Sequence, residues 1–154
     1  MDERESRAWL GLVAVTQLLP AALDSQLQRE AHLTHFEFMV LTALRFAPQS
    51  TLRMTALADA TNATLTRLSH VCTRLEKRGI VERAPSADDR RATDIRLTGE
   101  GRRALITAMP GHIATARHLV IDALTPAQLD ALADIAETIT GRLAGDESAA
   151  ATPR

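Results

Sequence analysis

The stretch from Asn62 to Thr98 limits what this chain can fold into more than any other. Within it Leu68, Val71, Cys72 and Leu75 recur at i, i+3, i+4 and i+7, the stripe of a half-buried helix. The spacing predicts a helix from Thr64 to Arg78, and Gly79 follows where a left-handed C-cap is wanted. Ile80 to Ala84 and Thr93 to Leu97 alternate apolar and polar residues, which predicts two half-buried strands. Between them Ser86-Ala87-Asp88-Asp89-Arg90-Arg91-Ala92 is expected to form an exposed, charged hairpin tip. A helix followed at once by a basic β-ribbon can hold a DNA duplex by two grooves, and the pattern predicts a winged helix.

Charge distribution supports a nucleic-acid partner although the total does not. Net charge is −1 over 154 residues. From Arg45 to Arg103, however, 12 basic residues face seven acidic ones, while the rest of the chain carries six basic and 12 acidic residues. Such segregation is what an electrostatic footprint on one face requires. Hydrophobic content of 45 % with only 3 % aromatic residues predicts an aliphatic, mainly helical core of one domain. No uninterrupted apolar run reaches the roughly 18 residues of a membrane span, and the charged N-terminus lacks a signal peptide's apolar core. One cysteine excludes an internal disulfide, so the expected location is a reducing cytoplasm.

The rest of the chain reads as helices around this segment. A first helix is expected from about Arg4 to Glu30, with Leu12, Leu19, Leu23 and Leu27 on one stripe and Pro20 kinking or interrupting it. A second runs from about Thr34 to Phe46 and ends before Pro48. Thr51-Leu52-Arg53 could add a third strand, and Thr55 to Ala60 is a short helix facing inward through Leu57 and Ala58. Asn62 suits the positive φ of a helix-turn-helix, and Thr64 suits an N-cap. Opposite the apolar stripe lie Thr66, His70, Thr73 and Lys77, flanked by Arg67, Ser69 and Arg74, a set suited to base edges and phosphates. Thr98 should cap a helix from Gly99 to about Leu124, bent at Pro110-Gly111. Thr125-Pro126-Ala127-Gln128 opens a last helix whose seam is Leu129, Leu132, Ala136, Ile139 and Leu143. Composition predicts a disordered tail over 145–154.

These residues resemble a known family. Leu57-Ala58-Asp59, the helix Thr64 to Arg78, Leu75-Glu76-Lys77-Arg78-Gly79-Ile80-Val81-Glu82-Arg83 and Asp89-Arg90-Arg91-Ala92-Thr93-Asp94-Ile95-Arg96-Leu97-Thr98 are similar to the MarR (multiple antibiotic resistance regulator) family. The order of elements matches from about residue 8 to 144. The resemblance implies a mainly α fold with a small β-hairpin wing, a winged helix-turn-helix lobe over 34–97 and a helical dimerisation region over 1–33 and 98–144. It implies a homodimer acting on a pseudo-palindromic DNA site as a transcriptional regulator, a repressor, released by a small molecule. It further implies that Thr64, Thr66, Ser69, His70 and Thr73 approach the major groove and that Arg67 and Arg74 meet phosphates. Arg91, with Arg90 beside it, would enter the minor groove, and Asp89 would brace the wing. His70 stands where many relatives have Arg, and Arg67 where a small residue is usual, so base preference is expected to depart from theirs.

The family often binds small aromatic or phenolic ligands between its dimer helices and DNA-binding lobe. Trp9, His35, Phe38 and His112 are the candidates here. Metal sensing is weaker, because His112 and His118 do not converge on a helix, and no cofactor or metal ligand set is expected. Cys72 lies on the buried stripe, and the first helix lacks the cysteine of the oxidant-sensing branch. No phosphate loop, metal motif or paired nucleophile points to an enzyme. A winged helix working through protein contacts alone, or a metal-responsive regulator, is the alternative.

Overall fold

A computed structural model describes residues 1–86, 89 and 91–150, with side chains through 145. The order is α1 (Glu3–Ala31), α2 (His35–Phe46), β1 (Thr51–Arg53), α3 (Met54–Ala60), α4 (Leu65–Lys77), β2 (Val81–Pro85), β3 (Thr93–Leu97), α5 (Gly99–Leu119) and α6 (Pro126–Ala150). The fold is thus mainly α with a small antiparallel sheet, ordered β1-β3-β2. Thr51-Leu52-Arg53 does form the third strand, with Leu52 opposite Ile95. Contacts divide the chain into two compact units, Met1–Thr115 and Ala116–Arg154.

Helix boundaries in the first unit follow local chemistry. Asp2 and Glu5 form a capping box at the start of α1, and Thr34 and Glu37 form another at α2. His32 ends α1 in a left-handed conformation. Of the two outcomes expected at Pro20, a kink or an interruption, the interruption does not occur: α1 runs through it. Pro20 and Thr16 are both exposed, so the Thr16 carbonyl that loses its amide partner can be hydrated. Pro110 likewise lies inside α5, which runs through it as one helix with Pro110 and Ile106 exposed.

The core of this unit is aliphatic. Leu27, Leu33, Leu41, Leu44, Leu57, Leu68, Leu75 and Ile95 are fully buried and join α1 through β3. Each such side chain contributes about 1.5–3 kcal/mol of transfer free energy. Thr98 fastens the sheet to α5: its hydroxyl lies 2.7 Å from the Gly79 carbonyl oxygen and accepts the Gly101 amide at 3.0 Å. Gly101 is required there by close approach, since a Cβ would sit 2.2 Å from the Ile80 carbonyl oxygen.

Sequence expectations need correction toward the C-terminus. α5 ends at Leu119, not near Leu124, because Val120 leaves helical geometry (φ −128°, ψ −62°) and a short 3₁₀ turn spans Ile121–Ala123. Thr125 and Gln128 form the expected capping box at α6. For residues 145–150 the expected disordered tail is replaced by helix, since α6 continues to Ala150. Two long helices also leave apolar side chains exposed. On α1 these include Trp9, Leu10, Val15 and Leu18, and on α6 Leu132, Ile135 and Leu143. α1 contains an 18-residue window apolar enough to cross a membrane by length and composition. That qualifies the expectation drawn from uninterrupted runs: Thr16 and Gln17 break the run but not its average.

Gly101→Ala should destabilise the protein by about 1–3 kcal/mol, the usual cost of overpacking. Thermal or urea denaturation checks this, and an unchanged midpoint would show that α5 can move away from the Ile80 backbone at little cost.

Candidate nucleic-acid interface

The helix-turn-helix forms as its residues require. Asn62 has φ +47°, and the Thr61 hydroxyl donates to the Leu57 carbonyl at 2.7 Å, sealing the end of α3. Thr64 caps α4, accepting the Arg67 amide at 3.2 Å. Leu68, Val71, Cys72 and Leu75 are buried beneath it, as predicted. Thr66, Arg67, His70, Arg74 and Lys77 are exposed, whereas Ser69 and Thr73 are half-buried. Leu65, at the first position of α4, is also exposed and was not among the expected contacts.

Two of the arginines assigned to phosphates have protein partners. The Arg67 guanidinium carbon lies 4.1 Å from the centroid of the Phe36 ring. Arg74 Nε lies 3.6 Å from Glu37 Oε1, and Arg78 Nη1 is 3.6 Å from Glu37 Oε2. Arg78 also donates to the His32 carbonyl at 2.9 Å. Glu37 is buried, so these cations neutralise a carboxylate that would otherwise be costly. Sequence reasoning placed Glu37 only as a position inside α2. Its reach to the C-terminal half of α4 is a long-range contact that helical periodicity does not show.

The wing is a hairpin of β2 and β3, with Val81 opposite Leu97 and Arg83 opposite Ile95. Asp89 accepts the Arg91 amide at 2.9 Å through Oδ1, and the Ala92 amide donates to the Asp89 carbonyl at 2.9 Å. Arg91 itself is exposed. Arg90 and Asp88 lie outside the described residues. Ser86 corrects the expectation of a wholly exposed tip: it is buried, and Arg53 approaches its hydroxyl at 3.4 Å.

Between α4 and the wing runs a cleft of about 400 Å³ lined by Arg53, Leu65, Ser69, Arg83 and Arg91 among others. Arg83 was counted only as charge in the sequence. It lies two residues after the buried Val81 on the same face of β2, and an arginine at such a position is a signal that acceptors lie beneath it.

Three of the four ligand candidates come together. His35, Phe38 and His112 line a cavity of about 270 Å³ with Met39, Thr42 and Ala43. The Phe38 and His112 ring centroids are 4.3 Å apart, and the His35 and His112 rings stack at 6.0 Å. Trp9 is not among the cavity's lining residues and is exposed on α1. Burial lowers the pKa of both histidines. Asp24 opposes this at His35, and the neighbouring His35 adds to it at His112. His112 Nδ1 is buried without a hydrogen-bond partner. Among the described residues no group of three or more His, Cys, Asp or Glu side chains is placed to hold a metal ion. Burial pushes the Cys72 thiol up to about 11, so it is not a thiolate at neutral pH.

A capped helix-turn-helix, a three-stranded sheet and a wing beside the second helix together define a winged-helix protein. The pattern of the MarR family matches residues 32–92. Sco3205, a MarR family transcriptional regulator from Streptomyces coelicolor solved in complex with DNA, is 37 % identical, with TM-score 0.89 and 93 % of each chain covered. AbsC, a MarR family regulator from the same organism, is 32 % identical, with TM-score 0.88 over 94 % of this chain and 97 % of that one. The transcriptional repressor MprA of Escherichia coli is 29 % identical over 106 residues, 69 % of this chain. That match covers 60 % of MprA, less than two thirds of its length. The chain belongs to the MarR family.

Depressed histidine pKa values make a signed prediction. A neutral imidazole is favoured by folding, so this contribution to stability is complete above the unfolded value of about 6.5 and is lost as pH falls below it. Between pH 7.5 and 5.5 the thermal midpoint should drop more in the wild type than in His112→Gln, and equal drops would remove the pair from the pH response.

Proposed function

We propose that this protein is a sequence-specific, double-stranded DNA-binding transcriptional regulator, a repressor, acting as a homodimer in the cytoplasm. The observation that carries this reading is the exposed polar face of α4 beside a wing and a cleft bearing Arg53, Arg83 and Arg91. Thr66 and His70, four residues apart on that face, are set to reach base edges in the major groove. Leu65 is suited to a thymine methyl group. Arg67 and Arg74 remain exposed enough to exchange their present partners for phosphates. Arg91 takes the minor groove, with Arg90 beside it in sequence and Asp89 shaping the turn that presents it. Membership of a regulator family, and a similar protein solved with DNA, point to a regulator and away from an enzyme.

Dimerisation is supported by exposed apolar side chains on α1 and α6, more than a stable monomer usually leaves in water. A two-fold dimer would set its recognition helices about 34 Å apart, one turn of B-DNA. The cavity of His35, Phe38 and His112 is the proposed site of a small aromatic or phenolic ligand that releases the DNA. Its walls combine apolar surface with the unpartnered His112 Nδ1, the mix a ligand site needs.

A mobility-shift assay with DNA from upstream of the protein's own gene tests the central claim; binding no tighter than to unrelated DNA would refute it. On that site Arg91→Ala should weaken binding and reduce the slope of log affinity against log salt by about one unit. An unchanged slope would remove the wing from the footprint. Leu132→Asp with Ile139→Asp should give a monomeric mass by light scattering, and a persistent dimer would place the interface elsewhere.

A further inference from the structure

Ser69, Thr73 and Glu76 lie on one face of α4 at i, i+4 and i+7, and all three engage Arg83 of the wing strand. Arg83 Nη2 donates to the Ser69 carbonyl at 2.7 Å and to the Thr73 hydroxyl at 3.0 Å. Its backbone amide donates to Glu76 Oε1 at 3.2 Å, and Nε lies 3.8 Å from Glu76 Oε2. That last contact is an ion pair and not a hydrogen bond, since Nε is buried with no acceptor in reach. The Thr73 hydroxyl in turn donates to the Ser69 carbonyl at 2.9 Å.

We infer that Arg83 is a positioning residue that locks the wing to the recognition helix, and that the Thr73 hydroxyl serves this lock instead of donating to bases, while Ser69 lends it only a backbone carbonyl. The inference rests on the DNA-binding reading above and narrows its contact set. A hydroxyl has one proton and two lone pairs. The Thr73 proton goes to Ser69 and one lone pair takes Arg83, so Thr73 has no proton left for guanine O6 or N7 or thymine O4. Arg83 keeps only Nη1 without a partner in α4. Nη2 serves α4, Nε is buried toward Glu76, and the side chain is only 28 % exposed. The base of the hairpin is held by β1 and by the buried Val81, Ile95 and Leu97, and Arg83 ties the middle of β2 directly to α4. Charge-assisted bonds to a backbone carbonyl and a hydroxyl hold it at one angle, so both grooves meet a preformed surface.

The test compares R83M, R83K, T73V, T73S and the T73V/R83M double variant with wild type. Readouts are site selection from a random duplex pool and salt titration on the selected site. R83M should lose about 10- to 100-fold in specific affinity, the equivalent of about one charge-assisted hydrogen bond, because the core still holds the base of the hairpin. Preference should weaken across the whole site, with the salt slope unchanged. T73V should lose less, T73S should regain most of that loss, and R83K should regain part of the R83M loss. The double variant should bind no worse than R83M, because the two side chains act through one contact. A T73V change of base choice confined to one position, or a salt slope lowered by about one unit in R83M, would overturn the inference. So would T73S no better than T73V, a comparison that stands even if R83M fails to fold. Amide exchange of β2 and β3 without DNA should quicken in both T73V and R83M. Unchanged exchange overturns the lock whatever the DNA experiment gives, whereas faster exchange with no specific site overturns only the DNA-binding reading.

Discussion

Burial of one stripe of α4 is the constraint on which the rest depends. Leu68, Val71, Cys72 and Leu75 bind this helix to the lobe from one side. A helix held that way must present its remaining surface outward, and that surface carries Thr66, Arg67, His70, Arg74 and Lys77. The apolar contact fixes which residues are available but not the pitch of the helix, since dispersion and hydrophobic contacts have little directionality.

Direction comes from a small set of polar ties made at the margins of that contact. Glu37 draws Arg74 and Arg78 toward α2, Arg83 fastens β2 to α4, and Thr98 joins the end of the Gly79 turn to α5. Each uses a charged or backbone group, so its geometry is strict and its loss would leave a poorly solvated partner. The His35–Phe38–His112 cavity opens on the same N-terminal part of α2 that carries Glu37. A ligand there would therefore press on a helix already tied to the recognition helix.

Most of the fold could be read in advance because its cues are local. The capping pair at Thr125/Gln128, the N-cap at Thr64, positive φ at Asn62, Gly79 as a C-cap and the 3.6-residue stripe of α4 all depend on neighbours a few positions apart. The misses are also physical. The sequence allows Pro20 to interrupt α1, which does not happen, since its exposed position lets water take the freed carbonyl. Composition predicted disorder over 145–150, where α6 continues. Ser86 was assigned to a solvated tip and is buried near Arg53, a partner 33 residues away.

The candidate site divides along the same line. From the sequence alone came the winged-helix order, the identity of the polar face of α4 and the separation of charge along the chain. Tertiary structure alone decided that His112 joins His35 and Phe38, that Trp9 does not, that Arg67 and Arg74 already have partners, and that the Thr73 hydroxyl meets Arg83. Periodicity states which face a side chain occupies. Whether its hydrogen-bonding capacity is still free depends on groups brought near by the chain's return, and that is settled only when the wing packs against the helix.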